Sequence, residues 1–234
     1  MSASVDFTFE SEALLLSAYD ANVRSSMHWV HTSWLCGALD LDMSSADSLR
    51  RALLQKDERS VARCSIALIR MLTDKVPRWV HSLETSVAWL DVVPIEIGVQ
   101  MLRLRSIIFR RSELRRVIDK PSRVRLAQWG GVPLDGALDS CNGAPDIARM
   151  VAENLVLPQE QMDAVAIAEE GYRLLVCDAP ELAAFCPLLR LALPQEGSAA
   201  WRADAFSCGQ DKGGMEVLRS YFPVWFPEWA WLFG

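Results

Sequence analysis

The residues that could do chemistry in this 234-residue chain are three histidines, six cysteines and a dense run of arginines. His28 and His31 are three apart, so on a helix both imidazoles share one face, with Cys36 five residues further on. Imidazole and thiolate both suit zinc, but a structural zinc takes four ligands and no fourth stands nearby. Trp29 and Trp34 share the stretch, and a histidine pair on an aromatic-rich helix is the plainer reading. Nucleophilic cysteine chemistry needs a Cys and a His brought together by the fold, and nothing in their spacing does so. The six cysteines, at 36, 64, 141, 177, 186 and 208, contain no C-x-x-C pair. There is no Walker-type loop, no G-x-G-x-x-G after a strand and no G-x-S-x-G elbow. The expectation is a non-enzymatic protein with no metal and no cofactor.

The arginines are the sharper signal. From Arg103 to Arg125 there are eight arginines and one lysine against Glu113 and Asp119, a local excess of seven positive charges in a chain of net charge -6. The rest of the chain therefore carries -13. On a helix turning about 100° per residue, Leu102, Phe109 and Val117 fall on one side, and Ile107, Leu114 and Ile118 on an adjoining one. The arginines point between these groups in several directions. A groove-reading or membrane-surface helix would show one basic face opposite one apolar face. This pattern instead describes an element anchored in a core by Leu102, Ile107, Phe109, Leu114 and Ile118. Its arginines either pair with the acidic remainder of the chain or meet acidic groups on a partner. The docking candidates are Arg110, Arg111, Arg115, Arg116, Arg123 and Arg125. The alternative is a helical regulator that binds nucleic acid through the Arg103–Arg125 block.

The elements that must position these residues read as helical almost throughout. "ALLLSAYDANVRSSMHWVHTSWL" follows Ser11-Glu12, "SSADSLRRALLQ" opens on N-cap residue types, and "ERSVARCSIALIRMLTDKV" ends before Pro77. "RWVHSLETSVAWLDVV" spaces Trp79, Leu83, Val87 and Leu90 at helical intervals, and Pro94 suits a helix start. The longest predicted helix runs from Ile95 to about Asp119, with Pro121 opening a short one to Trp129 and Gly130-Gly131 breaking it. Three more follow in "APDIARMVAENLVL", "QEQMDAVAIAEEGYRLLV" and "APELAAFCPLLRLAL", the last kinked or cut short by Pro187. Residues 194–214 are the loosest region, and the tail from 215 to 234 turns aromatic, ending "FPVWFPEWAWLFG". So apolar a tail is expected to pack on its own domain.

No alternating strand pattern and no internal repeat stand out. The expected fold is all-α: a single compact multi-helix domain over residues 1–234, with room for a small C-terminal helical subdomain. Half of the residues are hydrophobic, enough for a sizeable core. The opening "MSASVDFTFESE" has no basic n-region, so reduced cysteines in a cytosolic setting are expected. The best apolar run, Leu174 to Leu193, is interrupted by Asp178, Glu181, Arg190 and two prolines, which excludes a bilayer span of about 20 apolar residues.

The block "LRLRSIIFRRSELRRVIDKPSRVRLAQWGG" resembles the core signature of the SctK family, in its plant-pathogen-like form. The matching elements are Leu102-Arg103, Phe109-Arg110-Arg111, Glu113-Leu114-Arg115-Arg116, Ile118-Asp119 and Arg123 through Trp129, and the ending "EWAWLFG" is similar as well. About a fifth of the chain carries the resemblance. It implies a cytosolic accessory component of the bacterial type III secretion injectisome. Proteins of that kind belong to the sorting platform and join the cytoplasmic domain of the inner-membrane ring protein, SctD, to the pod protein SctQ, which holds the SctL–SctN stalk and ATPase. The role needs two partner surfaces and no active site, nucleic acid or direct membrane insertion. It places the protein in the cytoplasm, peripheral at the cytoplasmic face of the inner membrane through its partners.

Overall fold

A computed structural model of the chain describes residues 9–73, 89–139, 161–178, 187–196 and 214–233. Every regular element among these residues is helical, as the missing strand periodicity predicts. Contacts divide them into two compact units, with the boundary inside one helix between Gly98 and Val99.

The first unit contains α1 (Phe9–Arg24), α2 (Ser26–Trp29), α3 (Thr32–Leu39), α4 (Met43–Leu54), α5 (Glu58–Leu72) and α6 (Trp89–Val92). It also takes the first residues of α7 (Ile95–Phe109) and the segment 187–196. α5 is the centre, packed by α1, α2, α3 and α4. Its buried face is Val61, Ser65, Leu68 and Ile69, at helical spacing. Ser65 has a polar reason to be inside: its Oγ accepts from Met27 N at 3.1 Å, and its carbonyl accepts from Ser26 Oγ at 3.1 Å. Both α4 and α5 start on an Asp-x-x-Ser pattern. Asp42 and Asp57 cap them by accepting from Ser45 N at 2.9 Å and Ser60 N at 3.0 Å. The cap of α4 is thus Asp42, two residues before the serines that the sequence pattern favours, because its carboxylate can accept two bonds from Ser45.

The second unit begins with Val99 in α7 and continues through α8 (Arg111–Leu114), α9 (Lys120–Gly130), α10 (Leu134–Asp139) and α11 (Ala164–Asp178). The described part of the tail, α13 (Gly214–Trp225) with a closing 3-10 helix (Pro227–Phe233), belongs to it too. The helix Pro187–Leu191, in the first unit, is α12. Ile107, Leu114, Leu126, Leu134, Leu138, Met162 and Ile167 form one core cluster of the second unit. Phe222, Phe226 and Leu232 of the tail are buried, and Phe222 and Phe226 lie with ring centroids 5.2 Å apart. The tail therefore packs on its own chain.

The long predicted helix from Ile95 to Asp119 is broken into pieces. α7 ends at Phe109, Arg110 takes φ -88° and ψ 13°, and α8 is one turn. Residues 117–119 then leave helical geometry. Pro121 explains the last break, since its ring would clash with the carbonyl of Val117 in a continuous helix and it has no N–H to donate. Asp119 restarts the chain by accepting from Ser122 N at 2.9 Å, and Gly131 ends α9 at φ 72°, in the left-handed region that glycine favours. One consequence corrects the sequence reading: Ile118, expected in the core, is 90% exposed. Leu102, Ile107, Phe109 and Leu114 are buried as expected. The predicted helix over "APDIARMVAENLVL" and the looseness from 197 on fall outside the described residues, as does most of "RWVHSLETSVAWLDVV".

Candidate functional site

The arginine block is where sequence and structure most sharply divide the work between residues. Its inner members serve the fold. Arg103 Nε donates to the Ala164 carbonyl at 3.1 Å and Nη1 to the Trp129 carbonyl at 3.5 Å, tying α7 to the start of α11 and the end of α9. Burial lowers its pKa. Arg105 forms a two-pronged pair with Asp178, Nε to Oδ2 at 2.9 Å and Nη2 to Oδ1 at 3.3 Å, both side chains enclosed. A Cβ on Gly214 would stand 2.2 Å from the Arg105 guanidinium carbon, so α13 lies over this pair with the guanidinium in its present place because residue 214 is glycine.

Arg110, like Arg105, has only 1% of its surface exposed. Its Nε and Nη2 hold the two carboxylate oxygens of Glu170, and Nη1 reaches Glu113 at 2.8 Å. Ser106 Oγ donates to Glu170 as well. Burial opposes the charge of Arg110, but Glu170 and then Glu113 outweigh it and raise its pKa. Ser106 and Arg110, four residues apart, lie on one face of the facing element, so both reach the same carboxylate of α11. α11 and α7 can approach so closely because of Gly171, where a Cβ would meet the Leu102 carbonyl oxygen at 1.7 Å.

The outer members behave differently. Arg115 and Arg116 are exposed; Arg115 still donates to the Leu138 carbonyl at 3.2 Å. Arg123 is half-buried, donating to the Val117 carbonyl at 3.2 Å and pairing with Asp135. Arg125 is exposed and lies over the Trp129 ring, 5.4 Å from its centroid. Of the six docking candidates, then, Arg115, Arg116 and Arg125 are at the surface and Arg123 at its edge. Arg110 and Arg111 are buried, so the exposure expected of them does not hold. A 100° wheel cannot separate the two groups, because the helix stops at Phe109 and the arginines after it follow a different axis.

Sequence reasoning missed the carboxylates that answer the inner arginines. The sequence pattern places Glu170 within a helix and Asp178 as an interruption of an apolar run, with no partner for either. The usable signal was their position: Glu170 follows Ile167-Ala168 and precedes Leu174-Leu175 on a face otherwise apolar, where an unpaired acid would be costly. It also missed Asp91, fully buried in the first unit. The Asp91 carboxylate accepts from Leu189 N at 3.0 Å and Leu188 N at 3.3 Å, at the start of α12. Burial pushes its pKa up to about 7, with those two N–H groups opposing. Asn22 Nδ2 donates to the carbonyls of Asp91 and Val93, at 2.9 and 2.7 Å. Tyr19, whose hydroxyl pKa is raised by burial and then by the Asp91 charge, completes the surroundings.

The histidines go separate ways. His28 is exposed on α2, while His31 caps α3 by accepting from Ser33 N at 3.3 Å. Cys36 faces Met43, sulfur to sulfur at 3.4 Å, and His81 is outside the described residues. Among the described residues no group of three or more His, Cys, Asp or Glu is placed to hold a metal. None of Cys36, Cys64 and Cys177 is in a disulfide. No helix among the described residues is long and apolar enough to cross a membrane.

Searches of curated proteins and of solved structures return no match. A family model does match, that of the bacterial type III secretion protein HrpB4, over residues 7–228. The match takes in both units and the whole arginine block, so the chain belongs to the HrpB4 family of bacterial type III secretion proteins.

Proposed function

We propose that this protein is a non-enzymatic cytoplasmic adaptor of the type III secretion sorting platform. It joins an SctD-type cytoplasmic domain of the inner-membrane ring to an SctQ-type pod protein, and it is held at the inner membrane's cytoplasmic face through those partners. The observation that carries this reading is the family match across nearly the whole chain, together with the likeness of the 102–131 block to the SctK signature. The arginine geometry supports it. The inner arginines brace the fold, and Arg115, Arg116 and Arg125 are left at the surface for an acidic partner, with Arg123 beside them. Arg110 and Arg111 take a bracing role in this reading.

Co-purification tests it. The pod protein and the ring domain of the same secretion system should elute together only when this chain is present. Retention of neither partner would sink the adaptor. The nucleic-acid alternative predicts DNA binding that weakens steeply with salt; a flat, weak titration is the expected result.

A further inference from the structure

The outer face of α9 and the residues just before it combine arginines that the adaptor reading uses with exposed apolar side chains that it does not. Lys120, Pro121, Val124, Arg125 and Gln128 are all exposed, at the i, i+1, i+4, i+5 and i+8 positions of one helix face. Ile118 stands just ahead of them with 90% of its surface in solvent, and Val124 is 46% exposed. An isolated exposed apolar residue is ordinary. Ile118 in the non-helical lead-in and Val124 on α9, close in sequence to Pro121, Arg116, Lys120 and Arg125, give this segment a chemical preference. The only exposed acid in the segment, Asp119, is already engaged by Ser122 N at 2.9 Å as the cap of α9. The Arg125 guanidinium carbon lies 5.4 Å from the Trp129 ring centroid, a contact that restricts the side chain before any partner arrives and lowers the entropy cost of contact.

We infer that this face is a docking surface for an acidic segment of a protein partner, which lays an apolar side chain against Ile118 and Val124 and its carboxylates against Arg116, Lys120 and Arg125. The inference rests on the adaptor reading and adds to its acidic partner the surface and the partly apolar character of the segment that docks there. Charge complementarity selects the occupant: a basic, partly apolar face suits an acidic, partly apolar segment. A lipid surface fits less well. Interfacial helices bury a continuous apolar face, whereas this one has two apolar side chains, an acid at its head and a polar Gln128 at its end.

The test uses the full chain, with the purified SctQ-type pod protein and the SctD-type cytoplasmic domain as probes, titrated at two salt concentrations. Three variants are compared: Ile118→Asp, the double variant Lys120→Glu with Arg125→Glu, and Val224→Asp as a control at another exposed apolar site. The first two should weaken binding to one of the probes by about tenfold or more, with melting temperatures unchanged. The control should bind as the unaltered chain does. Equal binding by all variants overturns this inference and leaves the adaptor standing, as does equal weakening by the control. Failure of the unaltered chain to bind either probe removes the adaptor reading and this inference with it. Vesicles containing phosphatidylglycerol form the last arm. If Ile118→Asp loses vesicle binding and keeps both protein probes, the face belongs to a lipid surface and the inference is wrong.

Discussion

Arg110 and Glu170 hold each other through two parallel contacts, Nε to Oε1 at 2.7 Å and Nη2 to Oε2, with both side chains sealed from water. Arg110 lies within the 102–131 block and Glu170 sixty positions after Arg110, so the feature that looks most like a docking motif is partly a structural brace. Removing one partner leaves a buried charge without its counter-ion, whereas removing both leaves none. Arg110→Ala should therefore cost about 3–5 kcal/mol. Arg110→Met combined with Glu170→Leu should recover most of that loss. Urea unfolding of the three proteins checks it; a double variant no more stable than Arg110→Ala would contradict the argument.

The close approach at Gly171 makes a second prediction. A Cβ there would collide with backbone, the Leu102 carbonyl oxygen, which cannot swing aside as a flexible side chain could. Gly171→Ala should cost at least the 1–3 kcal/mol that is roughly typical of overpacking, and should abolish folding if α7 and α11 cannot separate. Gly136→Ala is the matched control, because a Cβ there meets nothing within 4 Å. It lies in α10 and should be neutral or stabilising by about 0.5–1 kcal/mol. Equal effects from both substitutions, read by thermal melting, would show that the crossing is looser than described.

The buried Asp91 sets a dependence on pH. Its folded-state pKa is raised from 3.8 to about 7, so the folded protein keeps the proton that the unfolded chain gives up. The contribution of this group to stability is fully present below about pH 4, declines as pH rises toward 7, and levels off above it. Asp91→Asn removes the titration. The stability difference between Asp91→Asn and the unaltered protein should grow in favour of the variant from pH 4 to pH 7. Denaturant melts across that range are the measurement, and a constant difference would contradict it.

The aspartate caps carry the opposite sign. Asp42, Asp57 and Asp119 have carboxyl pKa values lowered by hydrogen bonds from Ser45, Ser60 and Ser122. Their stabilisation is present above the ordinary carboxylate pKa and is lost on acidification through the lowered one. Replacing any one by alanine should lower stability, and replacing it by asparagine should lower it much less. Guanidinium titrations at neutral pH will tell the two apart.

The amino-acid sequence by itself determined the helical class, most helix starts and stops, and the membership of Leu102, Ile107, Phe109 and Leu114 in the core. Those depend on local physics: 3.6-residue periodicity, capping side chains, and the geometry of proline and glycine. The 102–131 signature was legible for the same reason, as a contiguous string. Tertiary structure alone decided what each arginine in that string does. Arg105 and Arg110 are braces because Asp178 and Glu170 arrive from 60 or more positions away, and Gly171 and Gly214 let their helices come close enough to meet them. Ile118 is outside, not inside, because the chain leaves helical geometry before Pro121 and its side chain no longer follows the face that the wheel assigned it. Pairing across long sequence separation and the local end of a helix both change the direction of a side chain, and neither is written in the spacing of its neighbours.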